Sequence, residues 1–133
     1  MTEPSTRRCL IVEDQALIGL ALEAYLEEAG YDPVGPFATN GEALRALEAD
    51  APDVAILDVL LKDGPCTPLV RELRRRGVPF AIYSGVRPAA VPPELKGVPW
   101  LEKPVAREEL IKAVDGLKPN GAAREDEETG APA

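Results

Sequence analysis

Short apolar runs alternate along this sequence with segments whose apolar residues recur at helical spacing, and that alternation narrows the possible folds more than any other feature. Residues 9–12 form the first run and end in Glu13-Asp14; Leu17, Leu20, Ala21 and Ala24 follow at i, i+3, i+4 and i+7, and Gly30 closes the segment. The pattern predicts a strand and then a helix. An extended piece over 31–34 leads to Ala43, Ala46 and Leu47 on one helical face, with Pro52 as the stop, and residues 53–58 predict a buried strand. Thr67 as N-cap and Pro68 as first helical residue open a third helix, which turns Leu69, Val70 and Leu73 inward and stops at Gly77. A strand is expected over 80–83. Between Arg87 and Gly97, Pro88, Pro92 and Pro93 leave room for a turn or two but not for a long regular helix. Residues 98–101 predict the last strand, and Leu110, Ala113, Val114 and Leu117 a final amphipathic helix.

Five strand-helix units specify an α/β protein with a parallel five-stranded sheet covered on both faces, a three-layer sandwich. The expected strand order is 2-1-3-4-5, the flavodoxin-like arrangement, with a shortened or irregular fourth helix. A chain of 133 residues with 45% hydrophobic content suits one domain with one core. That domain is expected over residues 7–117, after a polar N-terminal extension, 1–6. Residues 118–133, rich in Pro, Gly and Ala and carrying an acidic run over 125–128, have no apolar periodicity and predict a disordered acidic tail. No run approaches the roughly 18 apolar residues of a membrane span, and the polar start lacks a secretion signal. A cytoplasmic protein without membrane partners is expected.

The formal charge of −8, from 15 basic and 23 acidic residues, argues against direct nucleic-acid binding. Arg74, Arg75 and Arg76 form the longest basic run and read as a solvated helix end that suits the helix dipole. Histidine is absent, which removes the commonest general base and metal ligand. Cys9 and Cys66 lack a C-x-x-C or Cys/His pattern and read as buried thiols. Chemistry therefore falls to carboxylates, hydroxyls and lysine. In open parallel sheets ligands gather beyond the C-terminal ends of the strands. The first predicted strand ends in Glu13-Asp14 and its expected neighbour, the third, in Asp58. Three converging carboxylates repel one another, and a hard, oxygen-seeking cation such as Mg²⁺ relieves that repulsion. Ser84 ends the fourth strand and Lys103 the fifth. A cation, an ammonium and a hydroxyl around a carboxylate suit a phosphoryl group, with the carboxylate as nucleophile.

Glu13-Asp14, Ile56-Leu57-Asp58-Val59 with Gly64 following, Tyr83-Ser84-Gly85 and Lys103-Pro104 occur in order, and over residues 7–117 the chain resembles the receiver domain of bacterial response regulators, the CheY-like superfamily. The resemblance implies that Asp58 accepts a phosphoryl group from a histidine kinase or phosphotransfer protein, that Asp14, Asp58 and the Leu60 carbonyl bind Mg²⁺ directly, and that Glu13 does so through water. It implies that Lys103 contacts the phosphoryl oxygens, that Ser84 hydrogen-bonds the phosphoryl group, that Trp100 occupies the place of an aromatic switch residue, and that the bond before Pro104 is cis. With no output domain following, the chain resembles a stand-alone receiver, and the segments 76–80 and 82–85 are similar to an alphaproteobacterial subgroup with a Phe-Ala-Thr-Gly-Tyr-like signature. A downstream protein target is implied, and a homodimer is left open.

Bland readings stand beside these. Asp58 could be a helix-capping or loop carboxylate, Lys103 could be a surface lysine, Ser84 suits ordinary turn chemistry before Gly85, and Trp100 suits core filling. Three functions follow: a phospho-accepting switch or phosphate sink in two-component signalling, a phosphorylation-independent receiver-like adaptor that binds a signalling partner, and a phosphohydrolase. The complete set Glu13, Asp14, Asp58, Ser84 and Lys103 favours the first. Leu60, where an Asp-nucleophile hydrolase usually carries a second Asp, argues against an enzyme acting on a separate substrate, leaving self-catalysed phosphorylation and autodephosphorylation.

Overall fold

Alternate residues of each central strand face opposite cores. Leu10, Val12, Ala55, Leu57, Phe80 and Ile82 belong to one, and Cys9, Ile11, Val54, Ile56, Ala81 and Tyr83 to the other, the period-two pattern of a sheet buried on both sides. The computed structural model describes residues 7–85 and 93–117. Its elements are β1 (Arg8–Val12), α1 (Ala16–Glu28), β2 (Asp32–Phe37), α2 (Asn40–Ala49), β3 (Val54–Leu57), β4 (Leu60–Leu61), β5 (Gly64–Pro65), α3 (Thr67–Arg76), β6 (Phe80–Ser84), a single 3-10 turn (Pro93–Leu95), β7 (Trp100–Glu102) and α4 (Arg107–Asp115).

The main sheet runs β2-β1-β3-β6-β7 with every neighbour parallel. This is the expected 2-1-3-4-5 order once the small β4–β5 hairpin is set aside. The core under α2 and α3 holds Ala43, Leu47, Leu69, Val70 and Leu73; the opposite core, under α1 and α4, holds Leu22, Leu26, Leu110 and Val114. Full burial of each such leucine or valine contributes about 1.5–3 kcal/mol. Cys9 and Cys66 are both buried and unbridged.

The structure departs from the expectations in several places. In α1 the inward residues are Gly19, Leu22 and Leu26, with Ile18 and Tyr25 packed beside them, whereas Leu17 and Leu20 are 81% and 54% exposed. Both sets have helical spacing in a nearly all-apolar segment, so periodicity did not choose between them. Close approach does: a Cβ at Gly19 would lie 2.8 Å from Pro36 Cβ. Strand β2 is longer than the extended piece expected over 31–34, and it carries Pro33 and Pro36, which its place at the sheet edge tolerates. Helix α2 ends at Ala49, before Pro52 is reached. Cys66, not Thr67, is the N-cap of α3, while Gly77 closes that helix at φ 77° as expected. The β4–β5 hairpin was not anticipated. The proline-rich stretch yields the 3-10 turn at Pro93–Leu95, and its residues 86–92, like the expected extension 1–6 and tail 118–133, lie outside the described residues. No helix among the described residues is long and apolar enough to cross a membrane.

Candidate functional site

Parallel register carries the ends of β1, β3, β6 and β7 to one edge of the sheet. Val12 pairs with Leu57, Leu57 with Ile82, and Ser84 with Glu102, so Glu13-Asp14, Asp58, Ser84 and Lys103 all emerge there. The Asp58 amide donates to the Val12 carbonyl at 2.9 Å, and the Lys103 amide to the Ser84 carbonyl at 2.9 Å. These bonds tie β3 to β1 and β7 to β6 at the rim.

Carboxylate oxygens of Glu13, Asp14 and Asp58 lie within 4.8 Å of one another. The Lys103 ammonium reaches into them, with Nζ 2.9 Å from Glu13 Oε1 and 3.0 Å from Asp58 Oδ2. Burial is deep for so many charges: the side chains of Glu13, Asp58 and Lys103 are 1%, 12% and 13% exposed. Burial raises the Glu13 carboxyl above its ordinary value, against the hydrogen bonds from Lys103 and the Gln15 amide, and the Asp58 charge adds to the rise. Burial pulls the Lys103 ammonium down, but its hydrogen bonds to Glu13 and Asp58 and the attraction of both charges outweigh this and hold it above its ordinary value. Three carboxylates against one ammonium leave negative charge in surplus. An all-oxygen donor set with surplus charge fits a hard divalent cation rather than a soft one.

Glu13, Asp14, Asp58 and Lys103 are thus brought together as expected, and the Lys103-Pro104 bond is cis. Ser84 is buried on the same edge, at the end of β6. Leu60 opens the hairpin two residues beyond Asp58 and is 61% exposed. Trp100 stands apart: it pairs with Ile82 at the start of β7 and packs, partly buried, on the α2–α3 core.

The sequence reading missed three residues. Gln15 donates its amide to Glu13 Oε2 at 3.0 Å and sets Oε1 3.5 Å from Lys103 Nζ, a role no pattern signals. Asp63 and Asn40 join the hairpin to α2. Asp63-Gly64 is a turn signal, and Thr39-x-x-Glu42 has the sequence pattern of a capping box at the start of α2, with Thr39 Oγ1 accepting from the Glu42 amide and the Glu42 carboxylate accepting from the Ala38 amide.

A family model described as the response regulator receiver domain matches residues 9–115. Among solved structures, SdrG from Sphingomonas melonis is 36% identical, with a TM-score of 0.73 over 83% of this chain and 94% of that one; a BeF3-activated conformation of SdrG is 35% identical, with a TM-score of 0.71 over 85% of this chain and 97% of that one. The transcriptional regulatory protein PdtaR of Mycobacterium tuberculosis is 41% identical over 73 residues, 48% of this chain and 36% of that protein. The phyllosphere-induced regulator PhyR of Methylorubrum extorquens is 39% identical over 56 residues, 41% of this chain and 21% of that protein. The chain spans well under half the length of these curated relatives. With the family pattern matched over most of its length and the acidic edge in place, the chain belongs to the response regulator receiver domain family.

Proposed function

We propose that this chain is a phosphorylation switch of two-component signalling in which Asp58 accepts a phosphoryl group in a Mg²⁺-dependent reaction. The observation that carries the reading is the buried cluster in which one ammonium bridges Glu13 and Asp58 while three carboxylates converge. Asp14, Asp58 and the Leu60 carbonyl would hold the Mg²⁺ and Glu13 would reach it through water; bound there, the ion neutralises charge on the carboxylates and on an incoming phosphoryl group. Asp58 Oδ attacks phosphorus, an O–P bond forms, and the P–N bond to the donor's imidazole breaks, leaving the donor histidine free. Lys103 stands where it can pair with phosphoryl oxygens in place of part of its present contact with Asp58. Ser84 supplies a hydroxyl to the phosphoryl group, and Trp100 is the aromatic side chain that responds.

Leu17 and Leu20 of α1, the helix that follows Glu13-Asp14, and Leu60, two residues beyond Asp58, are exposed. Exposed apolar side chains this close in sequence to the charged residues support docking of a histidine kinase or phosphotransfer protein in the cytoplasm. Signalling then proceeds through contacts with a downstream protein, with a second copy of the chain, or by draining phosphate from a shared kinase. The chain acts on no separate substrate, and water removes its own acyl phosphate. Placement in the Phe-Ala-Thr-Gly-Tyr-like group is supported by the segments 76–80 and 82–85.

The test is intact mass after incubation with Mg²⁺ and acetyl phosphate. The expected result is a gain of one phosphoryl group that Asp58→Asn or omission of Mg²⁺ abolishes. A gain that survives Asp58→Asn overturns the assignment, and absence of both the gain and Mg²⁺ binding turns the reading to the phosphorylation-independent adaptor.

A further inference from the structure

The backbone after Asp58 leaves β3, forms the β4–β5 hairpin and returns at Cys66, whose amide donates to the Val59 carbonyl at 2.9 Å. Leu60 lies in this hairpin, so the site's geometry depends on how firmly the hairpin is held. Its own ladder is short, with only Leu60 opposite Pro65 and Leu61 opposite Gly64, and so small a two-stranded ribbon does not hold by itself. Leu61 and Cys66 anchor its two limbs in the core. The turn between the limbs is held from outside. The Lys62 amide donates to the Ala38 carbonyl at 3.1 Å. The Asp63 carboxylate accepts from the Asn40 amide at 2.8 Å, from Asn40 Nδ2 at 3.2 Å, and from the Gly41 amide at 3.2 Å. Asn40 Nδ2 also donates to the Pro65 carbonyl at 2.9 Å, so the buried Asn40 side-chain amide holds both the turn and the returning strand.

The same bonds account for the start of α2. The first four amides of a helix have no partner within it. Here the amides of Asn40 and Gly41 donate to Asp63, from 23 and 22 residues away, and that of Glu42 donates to Thr39 Oγ1 at 3.0 Å. An anionic carboxylate at this end also suits the helix dipole. Asp63 serves both parts: it braces a hairpin whose own ladder is two pairs long and supplies acceptors for two amides at the start of the helix.

We propose that Asp63 is a positioning residue for the Asp58 site, latching the hairpin that carries Leu60 to the N-terminus of α2. The proposal rests on the reading of Asp58 and Leu60 given above, and it adds a residue five positions beyond the phosphoacceptor that touches no reacting atom. Through the latch, occupancy of the site is felt at the start of α2, and disturbance of α2 is felt at the site.

The test compares the full chain with Asp63→Ala, which removes every acceptor, and Asp63→Asn, which keeps one carbonyl oxygen. Amide hydrogen exchange without metal reads the latch itself: in Asp63→Ala the amides of Asn40, Gly41, Leu61 and Gly64 exchange faster, while those of β1 and β3 keep their rates. A Mg²⁺ titration followed at the Asp58 and Val59 amides then reads positioning, with affinity expected to fall about tenfold in Asp63→Ala and less in Asp63→Asn. A role confined to stability would lower the unfolding midpoint and leave Mg²⁺ affinity of the folded protein unchanged. That result, or unaltered exchange at the hairpin, overturns the proposal. Failure of the wild-type chain to bind Mg²⁺ would instead sink the reading of the Asp58 site, and it is visible before either variant is made.

Discussion

The two ends of the sheet hold the same charges and treat them differently. At the N-terminal end Arg8 is surrounded by three aspartates: its guanidinium pairs with Asp50 and lies 3.7 Å from Asp32, while its amide donates to Asp53 at 2.7 Å. At the C-terminal end Lys103 meets Glu13 and Asp58, with Asp14 alongside. Each end therefore sets three carboxylates against one cation. The Arg8, Asp32 and Asp50 side chains are 31%, 58% and 64% exposed, so water shares their charge and the pairs contribute little. Glu13 is 1% exposed, and its surplus charge has nowhere to go. What separates the exposed set of ion pairs from the edge proposed to take a cation and a phosphoryl group is desolvation, not composition.

The largest difference between the two ends should appear when the buried cation is removed. Replacing Lys103 with Met leaves Glu13 and Asp58 buried without their cation, and urea unfolding of the metal-free protein should show a loss of about 3 kcal/mol, partly restored by Mg²⁺. A smaller effect is expected from pH. Because the folded protein raises the Glu13 carboxyl above its ordinary 4.5, it holds that proton more tightly than the unfolded chain does. Glu13 therefore makes metal-free stability fall as pH rises from about 4.5 toward neutrality, and Glu13→Gln should flatten that slope in unfolding curves taken across the range. The smallest effect belongs to the other end: Arg8→Ala should change stability by at most about 1 kcal/mol and fade in high salt. A loss at Arg8 as large as that at Lys103 would erase the distinction.

The acidic edge was legible in the sequence from where short apolar runs end, and the sheet order from the flavodoxin-like arrangement expected of alternating strands and helices. Residues 9–12 and 53–58 could only be buried strands, and a parallel sheet then sends Glu13-Asp14 and Asp58 to one rim. The inward face of α1 was not legible, since Leu17 and Leu20 match helical spacing as well as Leu22 and Leu26 do; a contact across the fold, Gly19 against Pro36, decides it. The latch of Asp63 on Asn40 and Gly41 was missed for a similar reason. Its turn signal and the α2 capping box are each local, but their pairing across 22 to 23 residues exists only in three dimensions.

Among the three adjacent carboxylates of the desolvated edge, Asp58 is the one proposed to carry the phosphoryl group. The most direct measurement is to treat the chain with acetyl phosphate and Mg²⁺, reduce the acyl phosphate with borohydride, and locate the modified residue by peptide sequencing in a mass spectrometer. The account predicts homoserine at position 58 alone, and only when Mg²⁺ was present. Reduction at Glu13 or Asp14, a phosphate ester retained unreduced on Ser84, or homoserine at position 58 that forms equally well without the metal would contradict it.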